Sequence, residues 1–326
     1  MDLSTNYMGL KLRNPIIVSS SKLTSDIQNI KKCADMGAGA IVLKSLFEEQ
    51  LLADSQKLMD QDDKYFWFPE AVDFINTHSK EQGVKEYLGL ISEAKRLTEV
   101  PIFGSINCTT SHEWPKFARK LEEAGIDGLE LNIAVFPFDA KVSSKEIEDV
   151  YVEIVEAVKS YVSVPIAVKI GPCFTNLMQI VSRLSEAGAD AVVLFNRFYR
   201  PDIDINQEKL MIDNYMSAPE EITQPLRWIS LLSNQVKCDL AGNTGIHDAK
   251  GMVKMIYSGA AATEICTTLY KNGIGYIDKM LQDLKGWMEE HNFNSIESFK
   301  GKIITKAENL AAFERVQFMK KTLTEH

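Results

Sequence analysis

Titratable and amide side chains recur in one kind of place along this 326-residue chain: the last residues of short apolar runs. Ser19-Ser20-Ser21, Lys44-Ser45, Asn107-Cys108, Asn132, Lys169 and Asn196-Arg197 all stand there. Ammonium and amide groups are costly to bury alone, so residues in such places find partners or a ligand. Lysine can stabilise a developing anion or act as an amine nucleophile, and asparagine both donates and accepts. Two later segments, Gly242-Asn243-Thr244-Gly245-Ile246 and Cys266-Thr267-Thr268, offer backbone N–H groups and hydroxyls suited to phosphate. Their glycines would admit the oxygens close to the backbone, although plain turn chemistry explains each segment taken alone. Arg197 suits an anion through its forked donors, or a salt bridge with Asp202 or Asp204. His247-Asp248 reads as a helix cap and His112 as a helix-entry residue. The five histidines form no H-x-H or H-E-x-x-H pair, so no metal is indicated.

Two recurring joints supply the elements that hold these residues. The first is a small-residue helix exit leading into an apolar strand, at Gly37, Gly125, Gly188 and Gly259. The second is Val-Pro-Ile, at Val100-Pro101-Ile102 and Val164-Pro165-Ile166, where proline stops a helix and opens a strand. Gly125 and Gly188 are 63 residues apart and Pro101 and Pro165 are 64, a period that holds two strand-plus-helix units. Near-continuous apolar composition predicts strands buried on both faces at 15–19, 40–44, 102–106, 128–133, 166–170, 191–195, 238–242 and 263–267. Helical spacing fills the intervals, as at Leu177, Ile180, Val181 and Leu184.

Eight such units predict a closed (β/α)8 barrel, read as a single domain over 1–326. An open doubly wound sheet is the alternative, but the G-x-G-x-x-G turn is missing after the first strand. Segments 46–78 and 197–223 follow the second and sixth strands as long loops expected to cap a site or form a contact. The first carries Tyr65-Phe66-Trp67-Phe68-Pro69. Residues 291–326 are expected as helices packed outside the barrel.

Composition bounds the function. Hydrophobic residues make up 45% and charged residues 25%, the balance of a globular chain. A net charge of −9 without a basic cluster disfavours nucleic acid and anionic membranes. No apolar run reaches the length of a membrane span, and Met1-Asp2-Leu3-Ser4 does not read as a signal peptide. Five scattered cysteines without C-x-x-C spacing point to a reducing, cytoplasmic setting, with neither a disulfide frame nor an iron–sulfur site.

The strand ends, taken in order, resemble the dihydroorotate dehydrogenase family of FMN-dependent barrels, its soluble class 1 above all. Asn14-Pro15-Ile16-Ile17-Val18-Ser19-Ser20-Ser21 is similar to the family's opening N-P-x-x-x-A-S-G, and Lys44-Ser45 to its K-S/T pair over the flavin. Glu130-Leu131-Asn132-Ile133 resembles E-L-N-x-S-C-P-N, and Val168-Lys169-Ile170-Gly171-Pro172 resembles V-K-L-x-P. Asn196 falls at the substrate-binding N-S/T. The segment 242–246 is similar to the phosphate loop G-x-G-G-I and Cys266-Thr267-Thr268-Leu269 to G-T-A-L.

The resemblance implies an FMN-dependent dehydrogenase acting on a CH–CH bond, in pyrimidine biosynthesis. Ser19, Ser20, Ser21, Lys44, Ser45, Asn132, Lys169, Gly242, Asn243, Thr244, Gly245, Cys266, Thr267 and Thr268 would then touch the cofactor. Lys44, Asn132, Asn196 and Arg197 would meet a small anionic substrate. It also implies a homodimer and leaves room for a separate electron-transfer subunit.

The chain departs from the pattern at the base. Alignment on Asn132 places Val135 where class 1 members carry a proton-accepting cysteine, and the second asparagine of that motif is lost. Nor is the N-x-x-G-L-P-N substrate loop found after the second strand. The flavin half of the pattern is kept and the substrate half rebuilt, as in a divergent branch. Lys44 and Lys169 are then the candidate catalytic residues, with Cys108 the candidate replacement base. Two other readings stand beside this one: a flavin-binding barrel without dehydrogenase activity, and a Schiff-base lyase using Lys169 or Lys44.

Overall fold

A computed structural model describes residues 1–47, 69–107, 113–135, 139–198, 202–211 and 216–305. In chain order the strands are β1 (Thr5–Tyr7), β2 (Leu10–Leu12), β3 (Ile16–Val18), β4 (Ala40–Val42), β5 (Leu46–Phe47), β6 (Ile102–Asn107) and β7 (Gly128–Asn132). They continue as β8 (Ile166–Ile170), β9 (Ala191–Leu194), β10 (Asp202–Asp204), β11 (Lys209–Met211), β12 (Asp239–Gly242) and β13 (Ala262–Ile265). The helices are α1 (Ile27–Asp35), α2 (Pro69–Leu97), α3 (Glu113–Glu123), α4 (Ser144–Lys159) and α5 (Leu177–Glu186). Those after β11 are α6 (Thr223–Leu232), α7 (Ala249–Tyr257), α8 (Thr267–Asn272) and α9 (Tyr276–Glu290).

Among the described residues, β3, β4, β6, β7, β8, β9, β12 and β13 pair in parallel in that order, and β13 closes onto β3. This is the expected (β/α)8 barrel. Each strand falls within two residues of its sequence-predicted span, and β8 coincides with it.

The joints explain that agreement. Gly37, Gly125, Gly188 and Gly259 all take φ near +100°, at 102°, 96°, 104° and 105°. The amide of the next residue bonds back to the last helical turn each time: Ala38 to Cys33, Ile126 to Leu121, Ala189 to Leu184 and Ala260 to Met255. That six-to-one bond closes a helix through a left-handed residue. The sequence period also has a structural counterpart. Asp127 accepts from the Ile102 amide and from Lys95, and 63 residues later Asp190 accepts from the Ile166 amide and from Lys159.

Side chains alternate across each strand, so every second residue points into the barrel. The lower interior is filled by Ile17, Ala40, Val42, Phe103, Ala167, Ala191, Val193 and Ala241, and the β1–β2 hairpin plugs it with Tyr7, Met8 and Leu12. A larger apolar layer packs between the strands and the surrounding helices. One step up the same alternation, the inward positions become Ser19, Ser105, Glu130, Lys169 and Glu264, all buried.

Two expected loops are partly regular structure. Within 46–78, residues 69–78 belong to α2, where Pro69 takes the first helical position that lacks no intrahelical donor. Residues 65–68 of the aromatic stretch lie outside the described residues. Within 197–223, β10 and β11 form a hairpin and Pro219–Ile222 a 3-10 turn. Residues 291–305 form a loop and a 3-10 turn rather than α-helix, with Phe293 and Phe299 stacked around Tyr257 and Trp287.

Two glycine exits give a paired test. A Cβ at Gly259 would lie 2.5 Å from the Ser233 Cβ, whereas at Gly125 it meets nothing within 4 Å. Gly125→Ala is expected to cost about 1 kcal/mol for the left-handed conformation alone. Gly259→Ala is expected to cost roughly 1–3 kcal/mol more through the added overlap, read as the larger drop in the urea midpoint.

Candidate active site

The polar layer opens into a cleft at the C-terminal ends of β3, β8, β9, β12 and β13. Ser19, Ser20, Lys169, Asn196, Arg197, Asn243, Thr244, Gly245, Cys266 and Thr267 line it. Ten of the residues singled out in the sequence therefore share one cleft. The sequence reading did not assign roles to two others. Glu264 forms part of the cleft floor and Glu130 lies behind it. A count of inward positions along β7 and β13 finds both, since each falls two residues after a small buried residue, Gly128 and Ala262.

Lys169 is the centre of the floor. Its Nζ donates to Glu264 Oε2 at 2.6 Å and to Ser19 Oγ at 2.9 Å, and lies 3.5 Å from Glu130 Oε1. Ser19 Oγ donates in turn to Glu264 Oε2 at 2.9 Å. Burial favours the neutral amine, but the charges of Glu130 and Glu264 outweigh it and raise the Lys169 pKa. Burial, and then the charge of Glu264, push the Glu130 carboxyl well above its ordinary range. Burial acts on Glu264 in the same direction, but Lys169 and hydrogen bonds more than offset it, so its pKa falls.

Above the floor, Asn196 donates through Nδ2 to Asn132 Oδ1 at 2.7 Å, tying β9 to β7. The Leu194–Phe195 peptide is cis, and the Phe195 carbonyl accepts from Asn243 Nδ2 and Thr244 Oγ1. Thr244 and Gly245 both take positive φ, 75° and 77°. Glycine at 245 is required by the protein itself: a Cβ there would lie 2.2 Å from the Ile222 backbone nitrogen. At Gly242 the neighbour is the Met255 side chain. The fold itself thus accounts for glycine at both positions. Thr267 Oγ1 accepts from the Ser217 amide, and α8 starts at Cys266 without a side-chain cap. An uncapped helix start beside backbone and hydroxyl donors is a donor set that fits a phosphate.

Other expected residues fall elsewhere. Lys44 and Ser45 line a neighbouring depression with Asp26, Glu86 and Tyr87. Ser45 reaches the cleft only through Ser20, at 3.1 Å between hydroxyls, and also meets Ser105 at 2.7 Å. Ser21 caps the 3-10 turn Lys22–Ser25, accepting from Leu23. Thr268 is buried and donates to the His247 carbonyl. Arg197 forms a two-pronged pair with Glu221 at 2.9 and 3.2 Å, not with Asp202 or Asp204. Asp248 caps α7 as expected, accepting from Gly251. Val135 faces an apolar cavity with Tyr151, Phe174 and Phe198. Cys108, His112 and Trp67 lie outside the described residues.

A closed parallel barrel with a polar cleft at its C-terminal mouth places this protein among the (β/α)8 barrels, with its site where that fold carries chemistry. Comparison with known proteins narrows this further. A family model described as dihydroorotate dehydrogenase matches residues 2–288. The chain is 31% identical over 312 residues to the catalytic subunit of dihydroorotate dehydrogenase B (NAD(+)) of Thermoplasma volcanium, covering 94% of this chain and 99% of that one. The Thermoplasma acidophilum protein of the same description is 28% identical, over 92% and 98% of the two chains. That of Methanocaldococcus jannaschii is 26% identical, over 89% and 94%. This chain belongs to the dihydroorotate dehydrogenase family. No helix among the described residues is long and apolar enough to cross a membrane.

His247 gives a pH test of the cleft wall. Its Nε2 lies 3.1 Å from Ser217 Oγ, and Lys271 donates to the Ser217 carbonyl. Burial, then Lys271, lowers the His247 pKa below 6.5. A depressed folded-state pKa means stability present above pH 6.5 and lost as the pH falls through the folded value. His247→Gln is expected to flatten that acid-side loss in urea titrations. An unchanged slope would assign the loss to other groups.

Proposed function

We propose that this chain is an FMN-dependent oxidoreductase acting on the CH–CH bond of dihydroorotate or a close structural relative. The observation that carries the reading is the convergence of Lys169, Asn196, the 243–245 turn and Cys266-Thr267 on one cleft, in a chain matched by its family over residues 2–288. When bound, the flavin supplies a hydride acceptor. Thr244, Gly245 and Thr267 would hold its phosphate, and Lys169 would place positive charge where electrons arrive. The Asn132–Asn196 pair would hold ring and substrate in register.

Val135 takes no proton, and its surroundings are apolar. The substrate half of the site therefore differs from the class 1 pattern, and Cys108 stays the candidate base. The relatives are named as catalytic subunits, which supports a second, electron-transferring subunit for this chain too. A cytoplasmic homodimer completes the proposal. The lyase reading is weaker at Lys169, because a Schiff base needs a neutral amine and the two glutamates favour the ammonium.

Adding dihydroorotate anaerobically to FMN-loaded protein is expected to bleach the flavin. Asn196→Ala is expected to slow bleaching by about a hundredfold while FMN stays bound. Bleaching by dithionite but not by dihydroorotate overturns the substrate and favours a flavin-binding barrel with another or no substrate.

A further inference from the structure

The floor of the cleft holds two carboxyls for one ammonium. Glu130 and Glu264 are each 2% exposed and Lys169 4%. If both glutamates were ionised, the cluster would carry a net buried negative charge, which is costly in an interior of low polarisability. Both carboxyls converge on one ammonium, Glu264 Oε2 at 2.6 Å and Glu130 Oε1 at 3.5 Å from Lys169 Nζ. Two carboxyls brought together on a single charge favour holding one proton over ionising together. Glu130 Oε2 is buried and has no hydrogen-bond partner among the described residues, so no donor there supports a negative charge. Glu264, by contrast, has its Oε2 filled by Lys169 and Ser19.

The neighbours leave this proton where it is. Among the described residues, Tyr7, Tyr87 and Cys266 also bear on the cluster, and burial pushes each of them up, which favours its neutral form. Asp239 bears on Tyr7 and is itself pushed up by burial. Glu130 has no place in the lining of the cleft, whereas Glu264 and Lys169 do. The proton is therefore stored behind the wall and reached through a residue on it.

We propose that Glu130 and Glu264 share a single proton beside Lys169, and that Glu264 passes it to a bound heteroaromatic ring when that ring gains an electron pair. This rests on the flavin reading above. A hydride from a saturated C–H bond of the substrate, with the neighbouring C–H proton leaving to a base on the substrate side, would leave negative charge on the ring. The carboxyl O–H bond then breaks and a ring N–H bond forms. The glutamate pair is left doubly ionised, with Lys169 opposing the added charge. The proton returns to the pair when the ring gives up its electrons. The glutamates thus supply an internal acid inside the barrel, from β7 and β13.

Infrared difference spectroscopy on the full chain tests this, with dithionite as the reductant. The flavin-free protein at neutral pH is expected to show one protonated-carboxyl C=O band that shifts in D2O. Glu130→Gln is expected to lose it, and Glu264→Gln, which removes the hydrogen-bonding partner, to move it. In FMN-loaded protein the band is expected to disappear on reduction and return on reoxidation. Absence of the band from flavin-free wild type overturns the shared proton. A band that persists unchanged through reduction overturns the transfer. A protein that shows the band yet refuses FMN sinks the flavin reading, and with it the transfer, while the shared proton stands on its own.

Discussion

Lys169 cannot leave its pocket and cannot be left alone in it. Its ammonium sits inside a closed barrel whose lower interior is alanine, valine, isoleucine and phenylalanine, and its charge is met by Glu264 at 2.6 Å. Removing one partner of a buried pair typically costs about 3–5 kcal/mol, because the remaining charge has no water to turn to. The pair is thus a fixed electrostatic feature of the cleft floor. Strand order places it: β8 brings the lysine, β13 the glutamate and β3 the serine that bridges them, from positions more than 90 residues apart in the chain.

The alternation of inward and outward side chains turns that one constraint into a site. The register that points small apolar residues into the lower barrel also points Ser19, Ser105, Glu130, Lys169 and Glu264 into the layer above. A one-residue slip in any of these strands would carry its polar residue into the apolar layer under the helices. The β1–β2 hairpin closes the opposite end with Tyr7, Met8 and Leu12, so the polar layer opens only toward the loops. Function and stability occupy opposite ends of the barrel, as its architecture favours.

Much of the scaffold was legible from local signals. Glycine exits and Val-Pro-Ile entries act over four or five residues, and each marks a strand start, three residues after the glycine or one after the proline. Lys169, Asn196 and the 243–245 turn were visible as polar residues at strand ends. What stayed hidden depended on contacts between distant segments. Gly245 is glycine because of the Ile222 backbone, and Arg197 finds Glu221 across a hairpin and a 3-10 turn. Glu264 sits inside an apolar strand, where a carboxylate has no local explanation; only Lys169, 95 residues earlier, accounts for it.

The central claim is that this barrel holds a flavin over the Lys169–Glu264 pair. The visible spectrum of the purified chain tests it most directly, followed by denaturation and identification of the released chromophore. The account predicts oxidised-flavin absorption and release of FMN, with added FMN restoring the spectrum of stripped protein. A colourless chain that takes up no added FMN contradicts it.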